Sequence, residues 1–351
     1  MRNRNVQLAL SLFVSAGFLW WVLRGVDPAR LMAALRAYNW LWAAPFLAAT
    51  FASLYLRAVR WAWLLAPVKP LTSAELWPPI CIGFGLNSLL PFRAGEFARA
   101  AVVAMKQKVG FAPVFGSLVV ERLFDMITLL LMLTVVFANI AIAPDFSTTL
   151  WGYTVTGAML TDGSKKVAVL FGAITVATLS LLVPATRNLV RRLVAGAPYA
   201  PPAFRAKVTE FFDGFVGGLA ALKDWRATLA VTGLSVAIWV LVGWTFQLGA
   251  YGFAGMNMTL LQGVAITVIT ALAILVPAAP GYWGLLEVGI LFGLQVLGVE
   301  KDFDRAVAYA LVVHSMQYFP ILAVGLYYLW KQEISLGDLD REKEQLAATA
   351  P

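Results

Sequence analysis

The sequence contains very few of the residues on which several classes of protein depend. It has 1 cysteine, Cys81, and 1 histidine, His314, among 351 residues. A single cysteine excludes an internal disulfide, and the two residues together exclude a zinc site built from cysteine and histidine ligands. Charged residues make up only 13% of the chain, whereas soluble domains carry about 25%. The scarcity of charge therefore excludes an ordinary soluble domain.

Apolar segments take the place of the missing charge, because 60% of the residues are hydrophobic. A helix needs about 20 mainly apolar residues to cross a bilayer. The pattern predicts an all-α polytopic membrane protein with about six full transmembrane helices plus two broken or re-entrant helix pairs. The predicted full spans are Val6–Leu23, Trp40–Ala66, Val114–Ile142, Val167–Val183, Ala227–Ala250 and Ala306–Trp330. We interpret the first as an uncleaved span, since Trp20 and Trp21 stand where a cleaved signal peptide has small residues.

The first break lies in Leu86–Arg99, where an apolar run stops at Pro91 and charged residues follow at once. Proline ends a helix, and Gly95 permits backbone conformations that other residues resist. Broken backbone at membrane depth persists only where protein or water satisfies its polar groups. We therefore expect this segment to line a cavity, with Arg93 and its charged neighbours directed into it.

A second break follows the same spacing. The nearly charge-free segment Leu260–Val299 is interrupted by Pro277-Ala-Ala-Pro-Gly281, so that Pro277-x-x-x-Gly281 repeats Pro91-x-x-x-Gly95. Each half of the chain reads span, span, broken pair, span, which predicts inverted repeats over about residues 6–143 and 167–330. The alternative is a pair of ordinary kinked helical hairpins.

The distribution of basic residues predicts the orientation. The connection Pro184–Arg226 carries seven of them, and short loops rich in lysine and arginine stay in the cytoplasm. Both termini and the tail 331–351 are then cytoplasmic, and residues 1–330 form a single transmembrane domain. The segment Arg24–Asn39 falls outside despite three arginines. Apolar residues at three- and four-residue steps predict an amphipathic helix within residues 185–226, either a lipid-contacting collar or a solvated linker.

Charges inside the apolar segments mark the candidate site. A charged residue at the bilayer centre costs about 2.5–3.5 kcal/mol on insertion scales, so these residues must pair or face water. Five arginines outnumber three carboxylates, and the arginine fork suits phosphate. We expect these eight residues to bind an anionic headgroup: Arg57, Arg60, Arg93, Glu96, Arg99, Glu121, Arg122 and Asp125. A structural network of ion pairs is the alternative for the last three.

Four polar or flexible residues complete the candidate set. Asn87 either orients a headgroup or caps the broken helix, and Gly281 belongs to the second break. Glu287 has no basic partner in its own segment, so it is either protonated or paired with an arginine from elsewhere. His314 lies within the last predicted span, as a proton relay or as a packed, hydrogen-bonded residue.

Four motifs carry a resemblance to a known family. They are Arg57-x-x-Arg60-Trp61, Asn87-x-x-x-Pro91-x-Arg93-x-Gly95-Glu96-x-x-Arg99, Glu121-Arg122-x-x-Asp125 and Pro277-x-x-Pro280-Gly281-x-x-Gly284-x-x-Glu287. Together they resemble the transmembrane domain of lysylphosphatidylglycerol synthase/flippase proteins, the flippase-like family, from about Arg57 to the last span. The resemblance implies lipid translocation between the leaflets of a bacterial or archaeal plasma membrane. Some relatives add a soluble aminoacyl-transferase domain, which we do not find here, so we expect no lysyl transfer.

These observations favour a lipid flippase or scramblase over two alternatives. The expected partners are membrane lipids with an anionic headgroup or a polyprenyl phosphate. We expect no enzyme activity, no cofactor, no metal and no nucleic-acid partner. The protein could form a homo-oligomer. One alternative is a membrane glycosyltransferase or other enzyme that uses a polyprenyl-phosphate-linked substrate. Its carboxylates would come from Asp302-Phe303-Asp304, the one D-x-D predicted outside, which we interpret as a solvated loop. The other is a non-transporting subunit of a lipid-modifying complex.

Overall fold

The architecture is that of an all-α protein, as predicted. The computed structural model describes residues 13, 16–90, 93–140, 147–150, 153–181, 183–196, 224–274 and 280–332, with isolated positions between 205 and 216. The helices are α1 (residues 16–23), α2 (Pro28–Arg36), α3 (Ala43–Leu65), α4 (Ser73–Leu89), α5 (Ala94–Gln107), α6 (Phe111–Asn139), α7 (Gly157–Ser180), α8 (Pro184–Ala195), α9 (Trp225–Tyr251), α10 (Leu260–Ala273), α11 (Leu285–Val296) and α12 (Phe303–Lys331). Pro91, Pro277, the start of the first predicted span, most of the predicted amphipathic helix and the tail beyond residue 332 lie outside the described residues.

Two connections that the sequence predicted as loops contain regular structure. In the first, Asp27 caps α2 by accepting a hydrogen bond from Ala29 N at 2.8 Å, and Pro28 occupies the first helical position. In the second, Ser147–Leu150 (β1) and Tyr153–Thr156 (β2) pair as an antiparallel hairpin. α7 then begins well before the predicted fourth span.

Helix length and composition agree with a membrane protein. Among the described residues, three helical segments are long and apolar enough to cross a bilayer: Trp40–Leu65, which joins a 3-10 turn to α3, and the helices α9 and α12. The helices α10 and α11 are apolar but shorter, as expected for the arms of a broken pair.

The first arms of the two broken pairs begin with the same kind of cap, and helices from the two halves of the chain pack against each other. A capping box of Thr72 and Glu75 begins α4, and one of Thr259 and Gln262 begins α10. α3 packs on α9, while α4 packs on α12 and α10 packs on α6. The opposite orientation of the two halves relative to a membrane stays a prediction.

Glycine allows the helices around the breaks to approach closely. A Cβ added at Gly85 of α4 would lie 2.8 Å from Gly325 Cα of α12, and one at Gly95 would lie 1.9 Å from the Gly83 carbonyl oxygen. Small residues at such crossings are typical of helix packing in membranes, where van der Waals contact replaces the hydrophobic effect. The first contact holds α4 against α12, and the second holds the two arms of the first broken pair, α4 and α5, against each other.

Candidate functional site

A cavity of about 480 Å³ lies where eight helices meet. Its walls come from α3, α4, the start of α5, α6, α9, α10, α11 and α12, and described residues that flank both breaks also line it. The charged and amide side chains in its walls are Arg57, Asn87, Arg93, Glu96, Arg122, Asp125 and Gln317. The lining thus has three arginines against two carboxylates, inside a bundle whose other surfaces are mainly apolar.

The two breaks meet across this cavity. Arg93, which precedes α5, and Tyr282, in the turn before α11, both adopt left-handed backbone conformations, with φ of 53° and 60°. Arg93 Nε donates to Tyr282 Oη at 3.0 Å, and its Nη2 donates to the Ile274 carbonyl at 3.3 Å, where α10 ends. Carbonyls at a helix end lack partners within the helix, so the arginine of one break satisfies the backbone of the other.

A buried network of ion pairs lies behind one wall. Arg60 is 0% exposed and binds two carboxylates of α6, with Nη1 at 2.7 Å from Asp125 Oδ1 and Nη2 at 3.3 Å from Glu121 Oε1. Arg99 Nη2 lies 2.9 Å from the same Glu121 oxygen, and its guanidinium stacks over the Trp61 ring at 5.0 Å. Burial of these charges is tolerable because each one meets an opposite charge.

Arg122 joins the buried network to the cavity. It contacts Glu121, lies 3.2 Å from Asp125 Oδ2, and lies 3.5 Å from Glu96 Oε1. Glu96 also pairs with Arg99 at 3.5 Å, so the carboxylates bridge arginines of three helices. The structural network of ion pairs, the alternative given for Glu121, Arg122 and Asp125, is therefore present, and it includes Arg60 of α3.

Arg57 differs from the other buried arginines. It is 7% exposed and lines the cavity, yet among the described residues it makes neither an ion pair nor a hydrogen bond. Its guanidinium lies between two aromatic rings, 5.3 Å from the centre of Phe84 and 5.5 Å from that of Trp239. Cation–π contact contributes about 0.5–2 kcal/mol and leaves the N–H donors unused. Arg57 thus has donors free for an anion that enters the cavity.

Glu287 meets a histidine rather than an arginine. Its Oε1 lies 2.6 Å from His314 Nδ1 of α12, and its Oε2 accepts the Gly284 N–H at 2.6 Å at the start of α11. Trp283 stacks on the imidazole with ring centres 4.2 Å apart. His314 is therefore a packed, hydrogen-bonded residue, one of its two predicted roles, and it also lines the cavity, whereas Glu287 is fully buried behind it.

The structure divides the sequence-derived candidates into two groups. Those in the cavity wall are Arg57, Asn87, Arg93, Glu96, Arg122, Asp125 and Gly281, whereas Arg60, Arg99, Glu121 and Glu287 lie behind it. The buried side-chain oxygen of Asn87 accepts no hydrogen bond from the described residues, and it faces Gly95, 2.7 Å from where a Cβ of that residue would lie. Carboxylates pair with Arg60 and Arg99. Among the described residues, Arg57 and Arg93 are the candidate arginines that contact no carboxylate.

Sequence reasoning missed several neutral members of the site. Trp239 Nε1 donates to Asp125 at 2.9 Å, and Ser235 accepts from Arg60 at 2.8 Å, both from α9. Tyr282, Gln317 and Tyr318 line the cavity. An isolated serine or tryptophan in a membrane span carries no sequence signal by itself, and only the α3–α9 packing brings these residues to the charges.

The fold and the cavity together define a polytopic membrane protein with a positively charged internal site. The chain belongs to the family described as the lysylphosphatidylglycerol synthase TM region, whose model matches residues 8–325. This confirms the family that the four motifs indicated.

Two archaeal proteins are similar to the chain. One, named glycosyltransferase AglD, comes from Haloferax volcanii and is 27% identical over 348 residues, 93% of this chain. The chain covers 53% of that relative, so it spans about half of its length. The other, UPF0104 membrane protein MJ1078 of Methanocaldococcus jannaschii, is 22% identical over 256 residues, 71% of this chain and 95% of that protein. No solved structure matches the chain.

Proposed function

We propose that this chain is a lipid flippase or scramblase that binds the phosphate of an anionic phospholipid or polyprenyl-phosphate lipid in its central cavity. The observation that carries the proposal is Arg57, a buried arginine that lines the cavity and that forms no ion pair or hydrogen bond with a carboxylate among the described residues. An unpaired charge at membrane depth is costly, and an anionic ligand offsets that cost. A planar guanidinium is suited to phosphate oxygens, which it can bind in bidentate fashion.

The surroundings of Arg93 support the same ligand. Its hydrogen bonds go to a phenol and a backbone carbonyl, both neutral, so its positive charge is not cancelled within the site. The carboxylates nearest to the cavity, Glu96 and Asp125, are already held by Arg122 and by the buried arginines. The site therefore presents net positive charge to whatever occupies it. Both the plasma-membrane location and the cytoplasmic termini belong to this proposal.

A membrane glycosyltransferase that uses a polyprenyl-phosphate sugar is the second candidate. The name of the Haloferax volcanii relative, a glycosyltransferase, favours it, although the chain spans about half of that protein. The D-x-D carboxylates argue against it, because both serve the fold. Asp302 caps α12 by accepting the Arg305 N–H, and Asp304 accepts the Asp27 N–H at 2.9 Å.

Reconstitution into liposomes tests the proposal. Fluorescent phosphatidylglycerol is placed in both leaflets, and an impermeant quencher added outside reports how much lipid reaches the outer leaflet. We expect wild-type protein to expose the inner lipid pool, Arg57→Ala to expose almost none of it, and Arg36→Ala to behave as wild type, because Arg36 is an exposed residue at the end of α2.

The contrary results are equally clear. If liposomes with wild-type protein expose the inner-leaflet lipid no faster than protein-free liposomes do, the protein does not transport phosphatidylglycerol. The assay is then repeated with a fluorescent polyprenyl phosphate. Transfer of a radiolabelled sugar from a polyprenyl-phosphate donor by the purified chain, lost in Asp302→Asn, would favour the enzyme instead.

A further inference from the structure

A second, larger hollow lies beside the charged cavity and has the opposite character. It is a groove of about 650 Å³ between α6, α7, α10 and α11. Its walls are almost wholly apolar and include Leu133, Val136, Leu160, Val268, Val288 and Phe292. Apolar hollows of this kind do not hold water, because water finds no hydrogen-bond partners in them. Hydrocarbon is the matching occupant.

The groove and the charged cavity are neighbours and share wall residues. Leu272, near the end of α10, lines both of them, and it also lines a narrow gap between them. Leu129 of α6 lines the cavity and the same gap, while Val167 and Val268 border the gap and the groove. The gap holds only about 10 Å³, so these two leucine side chains must change rotamer before a hydrocarbon chain can extend from the groove to the arginines.

We propose that the groove holds a hydrocarbon chain of the same lipid molecule whose phosphate binds in the charged cavity. This inference rests on the proposed function and adds the site for the other end of the substrate. A free phosphate would use the cavity without the groove, and a bulk membrane lipid would fill the groove without using the arginines. Only an amphiphile with an anionic head joined to a long chain uses both hollows and the gap between them.

The chain offers a matched pair of variants for the test. Gly163 of α7 lines the groove, and a Cβ built there meets no atom within 4 Å, so Gly163→Trp places an indole in the groove without a backbone clash. Gly172 of the same helix is equally open but is not part of the groove wall. At about 100° per residue it lies on the other side of α7, which makes Gly172→Trp the control.

The experiment uses phosphatidylglycerol with a photoreactive diazirine at the end of one chain, with the full-length protein in liposomes. After irradiation, mass spectrometry identifies the labelled peptides. We expect labelling of groove residues of α7 and α10 in wild type and in Gly172→Trp, and its loss in Gly163→Trp. Labelling should also be lost in Arg57→Ala, whose substitution lies in the charged cavity and leaves the groove itself unchanged.

Groove labelling that persists in Arg57→Ala would overturn the proposal, because the groove would then hold ordinary membrane lipid. Equal labelling in Gly163→Trp and wild type would overturn it as well. The proposed transport is measured separately by the quencher assay. If wild type labels the groove in an Arg57-dependent way but exposes no inner lipid, transport fails while the head-and-chain site stands.

Discussion

Arg93 and Tyr282 are joined by a hydrogen bond of 3.0 Å from the guanidinium Nε to the phenol oxygen, and each belongs to a different break in the chain. Both residues hold left-handed backbone conformations, which cost about 1–3 kcal/mol each and persist only where the surroundings fix them. The two breaks therefore stabilise each other across the cavity.

Tyr282→Phe tests this contact. The substitution keeps the ring beneath Arg93, 5.9 Å from its guanidinium carbon, but removes the acceptor. One hydrogen bond contributes about 0.5–1.5 kcal/mol, so we expect lipid translocation to slow about 2- to 10-fold. Tyr327→Phe, at an exposed position of α12, is the control. An unchanged rate in Tyr282→Phe would show that the contact does not position Arg93.

Arg57 and Arg60 lie one turn apart on α3 but should respond differently to alanine. Arg60→Ala leaves Asp125 and Glu121 buried without their α3 partner, which should lower the stability by about 3–5 kcal/mol. Arg57→Ala removes no ion pair among the described residues but does remove two cation–π contacts worth about 0.5–2 kcal/mol, so we expect a smaller fall in melting temperature together with lost translocation. Thermal unfolding in detergent and the quencher assay measure the two effects. A similar fall in melting temperature for both variants would contradict the free state of Arg57.

Gly95 is the position in the first broken pair where an added side chain would disturb the packing of α4 and α5 most. A Cβ there would lie 1.9 Å from the Gly83 carbonyl oxygen and 2.7 Å from the Asn87 amide nitrogen, both backbone atoms of α4. Overpacking of this kind costs about 1–3 kcal/mol, so Gly95→Ala should lower the melting temperature. Gly233→Ala in α9 meets no atom within 4 Å and should stabilise its helix by up to about 1 kcal/mol. Equal melting temperatures would refute the close approach of α4 and α5.

We expect Glu287 to stabilise the fold through its hydrogen bond with the Gly284 N–H. Glu287→Ala removes the acceptor of both the Gly284 N–H and His314 Nδ1, and an unsatisfied buried donor costs about 1–3 kcal/mol. Glu287→Gln retains an amide oxygen for the backbone donor, so we expect a smaller loss. Melting temperatures in detergent give the comparison. The interpretation fails if the glutamine variant is destabilised as much as the alanine variant.

Cysteine labelling tests the predicted orientation. Cys81 is buried, with 1% of its surface exposed, so it should not react with impermeant reagents. We expect Lys301→Cys, in the exposed connection before α12, to react in intact cells, and Arg205→Cys to react only after permeabilisation. The reverse pattern would place both termini outside.

The sequence alone determined the fold class and most of the candidate charges. Scarce charge and long apolar runs admit only membrane-spanning helices, because lipid offers no partner to exposed backbone groups. The same physics makes each charge in an apolar run conspicuous, and the arginines and carboxylates of α3, α5 and α6 do converge on one region. Weaker signals were missed, such as the hairpin β1–β2 and the helix α2, since short elements depend on local caps rather than on hydropathy.

Only the tertiary structure decided which charges are paired and which are free. Arg57 and Arg60 share a helix face and a motif, yet one lies between aromatic rings and the other is held by two carboxylates. That difference arises from the positions of Asp125, Glu121 and the α9 side chains, which are distant in sequence. The partner of Glu287 was likewise undetermined, because His314 reaches it only through the packing of α11 on α12. Spacing along one helix gives the direction of a side chain, but its partner depends on which helix lies opposite.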